Sequence, residues 1–160
     1  MIRAPLHSLV IALLLAGMAS CLTAGAAAAD AIARCRAKGN DDTVRAMPPA
    51  LARGAASALG VETSDIRGNP RRFVYRCMNG AVWACDHGAN ITCARADAEG
   101  ETQGVAEFCK ANPDETVPMV VTGHGAVHSW TCENGRPKIT GARQVDGRGF
   151  IADDWRRVDQ

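Results

Sequence analysis

The chain has 160 residues, with 18 basic against 17 acidic side chains and a formal net charge of +1 at pH 7. So even a balance leaves no electrostatic footprint for nucleic acid or an anionic membrane surface. Only 4% of the residues are aromatic while seven are cysteine, so cross-links must supply stability that a small core short of large side chains lacks.

The first element is a leader. Arg3 precedes the apolar run "LVIALLLAGMA" from Leu9 to Ala19, and small residues follow up to "AGAAAAD". This is the layout of a secretory signal over residues 1–29, with cleavage near Ala28 or Ala29. The run is too short to cross a bilayer. Cys21 opens a second route, because "MASC" has the small-small-Cys ending of a lipoprotein signal and would leave a lipid anchor. Residues 30–160 then form a single disulfide-rich domain, periplasmic or secreted, or held in the envelope by lipid on Cys21. No later apolar run is long enough for a membrane span.

Both routes leave Cys35, Cys77, Cys85, Cys93, Cys109 and Cys132 for the folded part. An even count in an exported chain predicts three disulfides. No C-x-x-C occurs, which removes the usual signature of zinc ribbons, thioredoxins and c-type haem attachment.

Cys35 sits one turn after Ala31 and Ile32, as on a short helix. Residues 48–60, "PPALARGAASALG", begin with proline, end with glycine and place Leu51, Ala55, Ala58 and Leu59 on one helical face. "VETSDIRGNPRR" is a polar loop. Asn79-Gly80 then predicts a type I′ hairpin, since both central residues of that turn need positive φ. The turn sets the register: Met78 opposite Ala81, Cys77 opposite Val82, Tyr75 opposite Ala84, Val74 opposite Cys85. By strand alternation Phe73, Tyr75, Cys77, Val82 and Ala84 share one face, and Val74, Met78, Trp83 and Cys85 the other. Cys77 and Cys85 therefore point apart.

The loop "DHGANIT" follows, then a second helix with Val105 and Ala106 one turn before Cys109. "TVPMVVTGH" reads as a strand ending at Gly123-His124-Gly125, and "AVHSWTC" as the strand entering a second hairpin at Asn134-Gly135. There Glu133 faces Arg136 as a cross-strand charge pair, Cys132 faces Pro137 and Trp130 faces Ile139. Pro137 marks an edge strand. In the tail, Asp146 stands where a helix N-cap would, and Phe150 and Trp155 are spaced to face inward.

One unit occurs twice. "CRAKGNDDTV" and "CKANPDETV" match with a one-residue gap, and each leads on to aromatic-x-Cys-x-Asn-Gly, in "YRCMNG" and "WTCENG". An internal duplication, with units 30–100 and 101–160, accounts for this order. It predicts the bridges Cys35–Cys77 and Cys109–Cys132, leaving Cys85–Cys93. Loop closure gives these roughly 4, 3.5 and 2.5 kcal/mol respectively. The fold class is α+β: short helices pinned by disulfides to antiparallel hairpins.

Four motifs, Y-x-C-M-x-G at Tyr75, G-A-N-x-x-C at Gly88, V-T-G-H at Val121 and R-G-F-x-A at Arg148, resemble those of a group of small exported, cysteine-rich bacterial proteins. The likeness runs from about Phe73 to Trp155 and, less clearly, through the helix around Cys35. It implies export and the cysteine framework, and brings no activity, substrate or catalytic residue with it.

Chemistry-bearing residues are few. His124 and His128 fall on the same side of an extended segment, and His87 adjoins Asp86. No H-x-H or H-E-x-x-H is present, so the motifs assign no metal ligand, no cofactor and no catalytic residue. His124, flanked by two glycines, is the first candidate for ligand contact. His87 and Asn90 form a second candidate in the disulfide-closed loop, where little entropy is lost on binding. Trp83, on the face away from Cys77, is a candidate surface aromatic, whereas Trp130 shares a face with Cys132 and points inward. Asp41-Asp42, Asp114-Glu115 and Asp153-Asp154 read as solvated turn acids, because neighbouring carboxylates do not straddle a cleft. The expectation is a non-enzymatic binding or structural module of the cell envelope, with a protein or glycan as partner. The alternatives are an envelope inhibitor of a lysozyme-like enzyme and a small hydrolase or metal-dependent enzyme using His124.

Overall fold

The computed structural model describes residues 26–62, 64, 69, 71–88 and 90–158. The expected leader up to residue 25, the lipid-anchor candidate Cys21 and part of the polar loop before Arg71 lie outside the described residues.

The chain is α+β. Helix α1 covers 26–38 and leads into β1 (Asp41–Ala46). A 3-10 turn at Pro49–Leu51 runs into α2 (Ala52–Leu59), which stops at Gly60 in the left-handed conformation, φ +68°. Ala52, Ala55 and Ala56 form its buried side, flanked by partly buried Leu51 and Leu59, so the inward face is centred slightly N-terminal of the expected one. Strands β2 (Phe73–Met78) and β3 (Ala81–Asp86) form the first hairpin. Next come α3 (Gln103–Ala111), the single turn α4 (Met119–Thr122), and the second hairpin of β4 (His128–Glu133) and β5 (Arg136–Ala142). A 3-10 turn at Ala152–Asp154 precedes β6 (Trp155–Arg157).

The strands form a four-stranded antiparallel sheet in the order β1-β2-β3-β6 and a separate pair β4-β5. Both hairpins keep the register that Asn-Gly dictates. Met78 pairs with Ala81, Val74 with Cys85, Cys132 with Pro137 and Trp130 with Ile139. The turn residues have φ of 52° and 75° at Asn79-Gly80, and 53° and 76° at Asn134-Gly135, the mirror-turn geometry. Pro137 lies on β5, the outer strand of its pair, while residues 115–117 bond to the other side of β4.

Three bridges join Cys35 to Cys77, Cys85 to Cys93 and Cys109 to Cys132. Face alternation decides what each one pins. Phe73, Tyr75, Cys77, Val82 and Ala84 pack with Ala31 and Cys35 of α1 and the alanines of α2. On the opposite face Cys85, Cys93, Phe150 and Trp155 make a second cluster, edged by Val74 and Trp83. A third joins Val105 and Cys109 of α3 to Val117, Trp130 and Cys132.

The two corners are built alike beyond their disulfides. The Gly80 N–H donates to the Gly39 carbonyl at 2.8 Å, and the Gly135 N–H to the Pro113 carbonyl at 3.0 Å. The Asn79 N–H donates to Asn40 Oδ1 at 3.0 Å, and the Asn134 N–H to Asp114 Oδ1 at 3.4 Å. Each corner thus ties the hairpin tip to the segment just after its cysteine helix.

Several expectations need correction. The apolar stretch before Gly123 is a helical turn, not a strand, because Pro118 starts a turn in which the Gly123 N–H reaches the Met119 carbonyl at 2.8 Å. The tail begins with an Asp146-capped turn, as Asp146 suggested, but continues into β6 rather than a helix. Phe150 and Trp155 do face inward, at 2% and 1% exposure. Glu133 sits opposite Arg136 yet forms its ion pair with Lys138, at 2.5 Å.

Candidate functional site

Two separate clefts contain the expected site residues His87, Asn90 and His124. The first, ≈370 Å³, is lined by His87 and Asn90 together with Asn69 and Arg72. Its loop is closed by Cys85–Cys93 and by paired backbone bonds between Gly88 and Ile91, at 3.1 and 3.3 Å. Asp86 is committed to Arg72 through two bonds of 2.5 and 2.6 Å, the fork geometry in which a guanidinium meets a carboxylate. Trp83 lines neither cleft. Its indole N–H donates to the Met78 carbonyl at 3.1 Å, and its ring packs against the Cys85 cluster.

The second cleft, ≈250 Å³, is built around the turn at Gly123 and includes Thr116, Met119, His124, His128, Trp130 and Arg143. Gly123 holds φ +87°, a conformation that favours glycine, and this turns the chain from α4 toward β4. His124 and His128 thus line one cleft as a turn residue and a strand's first residue, not as two positions of one extended strand. His128 meets Trp130 edge-on at 6.0 Å. The Nδ1 atoms of both histidines are shielded from solvent and have no hydrogen-bond partner. Met119, which lines this cleft, is 50% exposed, and its neighbour in the chain, Val120, is 86% exposed. Among the described residues no three His, Cys, Asp or Glu side chains converge as metal ligands.

A feature absent from the sequence reading lies on the sheet. Arg76 is 0% exposed. Its guanidinium lies 4.1 Å from the Phe150 ring and 4.7 Å from the Trp155 ring, and pairs with Asp146. Its Nε and Nη1 have no hydrogen-bond partner. Burial works against ionising Asp146, but N–H donors from Phe150 and Arg148 and the Arg76 cation outweigh it and hold the carboxyl below its ordinary range. The one sequence signal was a basic residue inside the apolar strand "FVYRCM".

Of the paired acids, Glu115 and Asp153 are exposed as expected, whereas Asp41, Asp42 and Asp154 are engaged by arginines. Asp42 binds Arg95 at 2.8 Å and Arg148 at 2.8 and 2.9 Å, chiefly the Arg148 hydrogen bonds lowering its carboxyl, and Asp154 pairs with Arg143. The Thr43 backbone N–H, the Thr43 side chain and Arg45 lower Asp41 to about 2.

Among the described residues no helix is long and apolar enough to cross a membrane. Comparison of the chain with protein-family models, with curated proteins and with solved structures finds no match.

Proposed function

We propose that the chain is an exported, disulfide-stapled binding module of the bacterial cell envelope, and that it meets its partner through the lip of the second cleft. The carrying observation is Met119 and Val120, 50% and 86% exposed beside a cleft lined by Trp130. Neighbouring large apolar side chains at the mouth of an aromatic cleft are costly to hydrate unless something covers them. Methionine and tryptophan are enriched where proteins meet, which favours a protein over a glycan. Three formed disulfides fit an oxidising compartment, periplasmic or extracellular.

The hydrolase alternative loses its geometry, because His87 and His124 line different clefts. A photo-crosslinking residue at position 120 in producing cells tests the binding reading, with one at the exposed Lys138 as control. A discrete adduct at position 120, lost in Met119→Asp, is the expected result. No adduct, or the same adducts from both positions, overturns it. A lysozyme in the adduct would identify the module as an inhibitor.

A further inference from the structure

Met119, His124 and His128 line one cleft of ≈250 Å³, Met119 from α4, His124 from the turn after Gly123 and His128 from the start of β4. Together they present a thioether sulfur and two imidazoles. Each imidazole keeps one nitrogen, Nδ1, out of water with no partner. A buried polar atom left unpaired is unfavourable and calls for a missing partner. Met119 is half-exposed and unbranched, so its sulfur can swing over the cleft without disturbing the core.

We propose that this cleft is a binding site for a soft monovalent metal ion, Cu(I), held by the Met119 thioether and the imidazoles of His124 and His128. The donor set selects the ion. Thioethers favour Cu(I), and imidazole accepts copper readily. A thioether and an imidazole bring no formal charge as ligands, no group of three His, Cys, Asp or Glu converges among the described residues, and Arg143, which lines the same cleft, is paired with Asp154. No Asp, Glu or Cys lines the cleft, and the nearby Asp154 is taken up by Arg143, so a hard divalent ion would lack carboxylate ligands and zinc the thiolate or carboxylate that usually completes its site. Cys35, Cys77, Cys85, Cys93, Cys109 and Cys132 are all tied in disulfides, so none of them competes as a thiolate. The spacing Met-x4-His-x3-His matches no histidine-carboxylate motif, which is why the sequence alone assigns no metal.

The test uses the full chain carrying Cys21→Ala, with disulfides intact. Cu(I) is titrated anaerobically against a chromophoric Cu(I) chelator, and Ag(I) in air as its surrogate. The expected result is one equivalent bound, with NMR signals of the Met119 methyl and of both imidazoles moving together. Affinity should fall roughly tenfold or more in Met119→Leu and in His124→Gln. The half-exposed Met119→Leu change keeps the fold and so keeps the test decisive. Absence of stoichiometric binding, undiminished binding in both variants, or Zn(II) bound as tightly as Cu(I) overturns the proposal.

Discussion

Replacing Asp146 by asparagine should destabilise the protein more than replacing the arginine it neutralises. Asp146 accepts the N–H groups of Arg148 and Phe150 at 2.8 and 3.1 Å through one oxygen and faces Arg76 with the other. Asparagine can keep the first role, but it turns an N–H₂ toward a guanidinium that is 0% exposed. A buried cation without its counter-charge costs about 3–5 kcal/mol. Arg76→Met instead gives up two desolvated cation–π contacts, about 2 kcal/mol each. It also relieves the unpartnered Nε and Nη1, about 1–3 kcal/mol apiece. These terms nearly cancel, so the net change should stay within about 2 kcal/mol. Urea unfolding with disulfides intact measures both, and a double-mutant cycle links them. In the Arg76→Met background, Asp146→Asn should cost little. The reasoning fails if Asp146→Asn alone costs under about 1 kcal/mol, or if its cost persists once Arg76 is gone. Acid unfolding adds a check. The folded carboxyl of Asp146 lies below its ordinary range, so its contribution is present above the unfolded pKa, about 4, and fades as pH falls through the lower folded value. The acid limb should be shallower in Asp146→Asn.

Further predictions concern the staples, the turns and the acids. Serine at both Cys109 and Cys132 should cost roughly 3.5 kcal/mol in chemical denaturation, against roughly 2.5 for Cys85 and Cys93. Gly80→Ala and Gly135→Ala place a side chain at φ of 75° and 76°, and each should lower unfolding free energy by about 1–2 kcal/mol. Neither added Cβ meets an atom closer than 3.7 Å, so the two losses should be similar. Carboxyl NMR titration should find Asp41 at about 2 and Asp42 below the ordinary 3.8. Both groups favour the fold above their unfolded pKa and lose that contribution as pH falls through the lower folded value.

The corners were legible because their information is local. Asn-Gly sets a turn, the turn sets a register, and the register sends Cys77 and Cys85 to opposite faces, which excludes a bridge between them, while the repeated unit around each corner supplies the pairing that the three bridges match. Where identity depends on distant chain, the sequence falls silent or misleads. The apolar "VPMVV" has the composition of a strand, and its first residue does bond to β4, the Val117 N–H donating to the Trp130 carbonyl at 3.0 Å, but Pro118 has no N–H to continue a ladder and starts a helical turn instead. Arg76 looks like a surface residue until Phe150 and Trp155 fold back across it. The spacing of His124 and His128 suits one extended strand, but the turn at Gly123 brings them to one cleft by another path.

The enclosure of Arg76 also sets an order of events. The arginine and its carboxylate partner are 70 residues apart in the chain, and both rings that cover it come later still. Until the segment 146–158 arrives, the nascent sheet carries a charge on the face it must bury, which resists compaction. A chain that folds from its N-terminus would therefore close this face of the sheet only when its final stretch arrives.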